Sequence, residues 1–398
     1  MRTAPVASPF DEPVVVLSRK GAERLQRGHP WVYRSDVASA AGAATGDVVA
    51  LVDGRGRFLG KAFWSERSQI AVRLLTREEE PVDEAFLARR IAAAADLRRR
   101  AYGEETLWRA VHGESDLLPG LVADRYGDVG VIQTLVPGTD RRKELIAGLL
   151  ARELGLRAVL ERNDVRVREL EGLTQVKGVL LGADPGPVEV REGEVRFRLD
   201  LLAGQKTGAF LDQRENHLRA GAWARGRALD CFSYAGGFAL QLCAGADEVV
   251  AVEMQPQAAA QLRENAALNR AANLRVEEAN AFDFLRDEAE KGRTWDTVVL
   301  DPPAFAKNKA SVDAARRGYK EVNLRALQIL RPGGVLVTAS CSYHVSADAF
   351  EELVRDAAAD AGRAVQVIER RGAGRDHPER LGMPESRYLK CLVVRVPD

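Results

Sequence analysis

The stretch RALDCFSYAGGFAL, residues 227–240, decides the fold. A short apolar run ends in an acid, Asp230, turns through Cys231-Phe232-Ser233-Tyr234-Ala235-Gly236-Gly237 and continues into a second apolar run from Phe238. Strand, glycine turn and helix form the unit of a parallel sheet, because parallel neighbours need a crossover and a helix supplies it. The alternation recurs downstream in EVVAVEM (248–254), LRVEEAN (274–280), WDTVVLDPP (295–303), GGVLVTASCS (333–342), AVQVIE (364–369) and YLKCLVVRV (388–396). Helix-forming segments separate all but the last pair. The reading is a doubly wound α/β sheet over residues 187–398, with an antiparallel edge supplied by the last two strands.

Upstream the character differs. Residues 1–77 carry β-like runs (VVVLS, DVVALVD, RFLGKAFW, IAVRLL) between the turns TGD and DGRG, the pattern of a small barrel. The acidic segment REEEPVDEA marks a boundary, and AFLARRIAAAADLRRRAYG reads as a linker helix. Residues 78–186 then give strands LWRAVHG, GLVADRYG and VGVIQTL, a helix over 140–154, strand RAVLERN and a short helix REL, an α+β order. A hairpin, VEVREGEVRFRLDLL, with Glu192-Gly193 at its turn, opens the third unit near Pro187.

Composition narrows the function classes. Of 398 residues 46% are hydrophobic and 29% charged, so the chain can bury a core and stay solvated. No apolar run approaches the roughly 20 residues that span a bilayer, and the start has no export signal, so a cytoplasmic location is expected. Lysine plus arginine and aspartate plus glutamate each number 58, so a nucleic-acid partner must be met by local patches. The cysteines Cys231, Cys243, Cys341 and Cys391 form no CxxC pair or Cys/His group, and no metal is expected.

The strand-end residues converge on one sheet edge, where open α/β sheets bind ligands. The turn at 230–237 fits either a ligand approached by backbone or an ordinary tight connection; its spacing is not GxGxxG. Glu253, ending the next strand, stands where a carboxylate accepts both hydroxyls of a ribose. Asn280-Ala281-Phe282-Asp283 suits an adenine amine, although Asp283 serves equally as a helix cap. Asp301-Pro302-Pro303-Ala304-Phe305 is more specific: the prolines hold the aspartate at the edge with a ring nearby for stacking a flat substrate. Cys341 follows VLVTAS on the same edge and is either core packing or a nucleophile. Carbon 5 of a pyrimidine is a poor nucleophile until a thiolate adds to carbon 6, the chemistry such a cysteine would supply. Cys231 can line the turn, Cys243 reads as helix packing and Cys391 as part of an edge strand.

Together these motifs resemble the class I S-adenosylmethionine-dependent methyltransferases, whose (N/D)PP(Y/F)-type loop is matched here with the aromatic residue one place later. QKTGAFLDQR (205–214), with LDCFSYAGGFAL, DPPAFAK and SCSYHVS, is similar to the large-subunit 5-methylcytosine methyltransferases of the RlmI type. RGHPWVYRSDV and FLGKAFWSERSQIAVRLL resemble the PUA-type RNA-binding domain of those enzymes, HGESDLLPGLVADRYGD their central domain, and Asp376-His377-Pro378 with PESRYLKCL their final segment. The resemblance implies a Rossmann-like methyltransferase domain preceded by a PUA-like β-barrel and a central α+β domain. It implies S-adenosylmethionine as cofactor, held by Asp230, Cys231, Ser233, Tyr234, Gly236, Glu253, Met254, Ala281, Asp283 and Asp301, with Phe210, Asp212 and Gln213 closing over it. Cys341 and Asp301 are then the catalytic pair. Many RNA 5-methylcytosine enzymes carry a second cysteine in the proline loop; this chain lacks it, as RlmI-type members do, so another base takes the carbon 5 proton.

The implied partner is 23S ribosomal RNA or the large ribosomal subunit, and family members often pair as homodimers. Arg27 and Arg34 around Trp31 and Tyr33 form a candidate RNA surface, since cations meet phosphates and aromatic rings stack bases. Arg89, Arg90, Arg98, Arg99 and Arg100 read as a solvated helix face. Lys206, Pro302, Phe305 and Lys307 are candidate substrate contacts at the mouth of the site. Two other readings stay open: methylation of a guanine nitrogen, which needs no cysteine, and a non-catalytic RNA binder in ribosome assembly.

Overall fold

The computed structural model describes residues 10–204, 208–305 and 312–398. The chain divides into two compact units: one runs to Val188 and adds Asp200–Gly208 and Arg375–Ser386, and the other holds Glu189–Leu199, Ala209–Gly374 and Arg387–Asp398.

The first unit contains two sheets. Six strands lie in the order Trp31–Tyr33, Ile70–Thr76, Phe58–Trp64, Val48–Val52, Val14–Leu17 and Val37–Ser39. The helix Arg19–Gln26, started by Ser18 accepting from the Gly21 N–H, escapes sequence reading because it buries only Gly21, Ala22 and Leu25, too few positions to declare a period. The second sheet runs Lys177–Leu181, Ala158–Arg162, Val129–Thr134, Leu121–Tyr126 and Leu107–His112. Its edge strand Lys177–Leu181 was not anticipated, since no residue of it is fully buried and its pattern is weak.

The helix Glu84–Tyr102 forms as expected, capped by Asp83 on the Phe86 N–H, but one of its arginines is misplaced by the solvated-face reading. Arg98 is 0% exposed. Its guanidinium forks onto both oxygens of Asp116 at 2.7 Å and donates to the carbonyls of Arg109 (2.9 Å) and Asp376 (2.6 Å). The planar fork satisfies a carboxylate and two backbone groups at once, which makes burial tolerable. Removing one partner strands the other charge, so Arg98→Met is expected to destabilise the first unit by about 3–5 kcal/mol. Denaturant unfolding followed by tryptophan fluorescence reads this, and the Arg98→Met/Asp116→Ala double variant should lose less than the two single changes summed.

In the second unit a hairpin, Val188–Glu192 and Val195–Leu199, precedes a seven-stranded sheet. The sheet order is Leu274–Glu278, Glu248–Glu253, Arg227–Cys231, Trp295–Leu300, Leu330–Ser340, Lys390–Arg395 and Gln366–Arg371. The first five are parallel, and Lys390–Arg395 is antiparallel to both its neighbours. Cys391 therefore lies in an inner strand, not an edge one, because the chain inserts its final strand beside Leu330–Ser340. Every residue of Trp295–Leu300 is buried, as a strand covered on both faces requires. One face packs Leu285, Tyr319, Val322, Phe350 and Leu353; the other packs Ala220, Phe238, Leu242 and Leu262. Among the described residues no helix is long and apolar enough to cross a membrane.

Candidate active site

Arg227–Cys231 lies between Glu248–Glu253 and Trp295–Leu300, so the connections leave it in opposite directions and open a crevice at its carboxyl end. The turn that follows is held in unusual backbone geometry, with φ of 67° at Phe232, 49° at Tyr234 and 96° at Gly236. Such a conformation costs an aromatic residue about 1–3 kcal/mol and persists only when its surroundings enforce it. They do: Phe232 and Ser233 donate their N–H groups to the Val252 carbonyl, and the Ser233 hydroxyl donates to the Asp230 carbonyl at 2.8 Å. At Gly237 a Cβ would come within 2.5 Å of the His217 ring, so only glycine fits.

Glu253 is oriented by two backbone donors, the Tyr234 N–H on Oε2 and the Gln255 N–H on Oε1, both at 2.8 Å. A carboxylate offers about four acceptor sites, so each oxygen keeps one for a hydroxyl of a ribose. Asp230 is fully buried, and no donor reaches good hydrogen-bond geometry at either carboxylate oxygen, although the Ser233 hydroxyl and the Ala239 N–H lie near enough to favour its charged form. Burial pushes its carboxyl up to about 7, with the Asp301 charge adding to the effect. A buried carboxyl without a well-aligned donor at the crevice fits a cationic ligand such as the ammonium group of S-adenosylmethionine, and with Glu253 it matches both polar ends of that cofactor.

A cationic donor bound beside Asp230 is expected to bind with a pH dependence. A cation beside Asp230 favours the carboxylate, so below about 7 binding must expel the proton. Affinity for S-adenosylmethionine is expected to fall as pH drops below 7, by up to about tenfold per unit, and Asp230→Asn should flatten the profile. Calorimetry in two buffers of different ionisation enthalpy checks the accompanying proton release. The same linkage acts on stability: the raised group binds its proton more tightly folded than unfolded, so the ligand-free unit loses stability as pH rises from the ordinary carboxylate range toward 7.

The acid at the end of the neighbouring strand is built into a polar chain. Gln213 Nε2 donates to Asp301 Oδ1 at 2.8 Å, Asn216 Nδ2 donates to Gln213 Oε1 at 2.6 Å, and Arg371 Nε donates to Asn216 Oδ1 at 2.9 Å. Behind the donor turn, His217 Nδ1 pairs with Glu192 Oε1 at 2.9 Å. Burial lowers a histidine, but Glu192, then Asp301 and Asp230, outweigh it and hold His217 above its usual range. Asp212 Oδ2 accepts from the Tyr388 hydroxyl at 2.7 Å, and Asp212 lies in the short turn Leu211–Gln213 that precedes the helix Arg214–Trp223.

Cys341 is half-buried, one residue beyond the strand Leu330–Ser340. Its neighbour Ser342 meets the buried Tyr319 hydroxyl at 2.9 Å, and burial raises that phenol. Phe305 packs against Tyr319 with ring centroids 4.7 Å apart and against Phe282 at 5.9 Å, with part of its surface left open. Pro302 is buried and Pro303 exposed.

The remaining predicted residues scatter. Phe210 meets Tyr234 edge to face at 5.1 Å. Cys231 is buried and its thiol pushed well up by burial. Met254 is 62% exposed. Asn280, not Asp283, caps the helix Ala281–Glu290, and Asp283 pairs with Arg286 at 2.7 Å. In the first unit Trp31 donates its indole N–H to Glu114 at 2.8 Å, Arg34 donates to the carbonyls of Ser65 (3.2 Å) and Ser68 (2.8 Å), the Arg24 guanidinium lies 4.7 Å from the Tyr33 ring, and Arg27 is exposed. Lys206 and Lys307 lie outside the described residues.

Sequence reasoning missed Glu192, Asn216, His217, Arg371 and Lys390. A signal existed for the helix: Gln213, Asn216, His217 and Ala220 fall on one face at helical spacing, an unusually polar set for a buried stripe.

Comparison with known proteins agrees with this geometry. Residues 15–77 match a PUA-like domain, and residues 179–395 match an S-adenosylmethionine-dependent methyltransferase. The chain is 43% identical to the ribosomal RNA large subunit methyltransferase I of Shewanella amazonensis, over 95% of this chain and 98% of that protein. It is 39% identical to the protein of that name from Tolumonas auensis, over 96% and 98%. A crystallised protein assigned as a methyltransferase and complexed with SAH shares the fold, with a TM-score of 0.83 at 20% identity, covering 96% of this chain and 100% of that one. The chain belongs to the ribosomal RNA large subunit methyltransferase I family and is an S-adenosylmethionine-dependent methyltransferase.

Proposed function

We propose that this protein methylates carbon 5 of a cytosine in the 23S RNA of the large ribosomal subunit through a covalent adduct with Cys341. The observation that carries the reading is the placement of Asp301 and Cys341 one residue beyond the ends of two adjacent parallel strands, where Leu300 pairs with Thr338. A flat base entering between them meets a carboxylate on one side and a thiol on the other.

The target base is flipped out of its stack at a cost of a few kcal/mol and lies against the open part of Phe305. Asp301, steadied by Gln213, accepts a hydrogen bond from the amine on the base's polar edge. The Cys341 thiolate adds to carbon 6, forming a C–S bond and moving the electron pair of the 5,6 double bond onto carbon 5. S-adenosylmethionine, held by Asp230 and Glu253 with Ser233, Tyr234 and Gly236, supplies the electrophilic methyl that carbon 5 takes. A base then removes the carbon 5 proton, the double bond reforms and the thiolate leaves. Holding base, thiol and donor in line is the main source of rate.

In this reading residues 1–77 contribute RNA contacts through Arg27 and Tyr33, residues 78–186 form the central domain, and residues 187–398 carry the chemistry. The PUA-like match supports the first assignment. The homodimer implied by the resemblance is checked by sedimentation. Nucleoside mass spectrometry of large-subunit RNA from a strain lacking the gene, before and after treatment with purified protein and S-adenosylmethionine, tests the reaction. Restored 5-methylcytosine is expected. Restored methylguanine would overturn the cysteine chemistry, and no methylation of naked RNA, free subunits or ribosomes would leave the binder reading standing.

A further inference from the structure

Lys390 has no role in the chemistry described so far, yet its environment is unusual. It is 6% exposed, at the start of the inner strand Lys390–Arg395. Antiparallel pairing sets it opposite Ser340, the residue before Cys341. Its Nζ donates to the carbonyls of Ser342 at 2.7 Å and Tyr388 at 2.9 Å, so the ammonium is anchored to the backbone of the residue that follows Cys341. An ammonium has three protons, and these two neutral carbonyls do not compensate its buried charge. Burial lowers Lys390 to about 8, and the charge of Cys341 acts on it in the opposite sense. Each of the two groups thus favours the charged form of the other.

We propose that Lys390 is the positioning residue that holds Cys341 as a thiolate ready for addition. The Cys341 S–H proton passes to a neutral Lys390 amine, leaving a thiolate beside an ammonium with no change in total charge. The inference rests on Cys341 as the nucleophile.

Other charged groups near the pair leave this role to Lys390. Tyr319, from the helix Val312–Ile329, bears on Cys341, and its ionisation and that of the thiol disfavour each other. Asp301, Glu369 and Arg371 bear on the adjacent Cys391; the two acids oppose a thiolate there, and Arg371 is engaged by Glu369 at 3.2 Å. His344 follows in the loop, stacked edge to face on Tyr343 at 5.3 Å.

The test uses the full-length protein without RNA. Iodoacetamide alkylation of Cys341 is followed by peptide mass spectrometry across a pH series, in wild type, Lys390→Arg and Lys390→Met, with thermal melting and donor calorimetry reporting on fold. Wild type is expected to react with a midpoint below the ordinary thiol value of about 8.5, and Lys390→Met with a midpoint at least about one unit higher, roughly tenfold slower at neutral pH. Lys390→Arg should keep the wild-type midpoint. Equal midpoints in all three folded proteins would overturn the proposal. If Lys390→Met does not fold, a wild-type midpoint at or above the ordinary value overturns it alone. Alkylation needs no methyl transfer, so a lowered midpoint without 5-methylcytosine formation would refute only the function, and 5-methylcytosine with an unshifted midpoint only the role of Lys390.

Discussion

Cys341→Ala is expected to abolish 5-methylcytosine formation, by about 10⁴-fold or more in kcat, while leaving affinity for S-adenosylmethionine near the wild-type level. The size follows from the chemistry. Without addition at carbon 6 there is no electron pair at carbon 5, and no hydrogen bond or charge in the site can replace that covalent step. The donor half should be unaffected because Asp230, Glu253 and the turn between them are fixed by the strands Arg227–Cys231 and Glu248–Glu253. Nucleoside mass spectrometry gives the first readout and calorimetry the second. If the variant still methylates RNA at a comparable rate, the acceptor is a nitrogen and the thiol is packing.

Asp301→Asn should lower kcat/KM by about 10²–10³-fold, the usual loss when one well-placed polar group is removed from a reacting centre. The substitution keeps an oxygen able to accept from Gln213, so the loop should hold, but it replaces the second carboxylate oxygen with an amide NH2 whose N–H opposes the base's own N–H. Gln213→Ala should do less, roughly tenfold, because the aspartate keeps its charge and loses only its orienting partner. An equal loss in both variants would mean that Asp301 acts through the fold and not on the base.

The strand ends of the second unit were legible because their signals are local. Strand-end acids and a proline pair identify one edge of a sheet whatever the order of the strands, so Asp230, Glu253, Asp301 and Cys341 could be placed on one edge from their positions, while their roles came only from the family resemblance. Polar partners brought in from distant segments left no such mark. Glu192 ends a hairpin strand, Arg371 lies in the edge strand and Lys390 in the inner one; each reads as surface until the topology buries it or, for Arg371, partly covers it. Arg98 failed for the same reason: its partner Asp116 and the carbonyl of Asp376 come from elsewhere in the chain, and the arginine-rich helix offered no hint of them. The weak edge strand Lys177–Leu181 was lost because packing, not propensity, makes it a strand.

The division of the chain bears on the order of events during synthesis. Arg375–Ser386 completes the first unit, and Lys390–Arg395 fills an inner position in the sheet of the second. Neither unit can close until a segment translated after residue 374 has emerged, and until then Arg98 lacks the Asp376 carbonyl and Leu330–Ser340 lacks its antiparallel neighbour. Domains usually mature one after another as a nascent chain lengthens. Here both units wait on the same late stretch of chain, so neither is expected to mature well before the other.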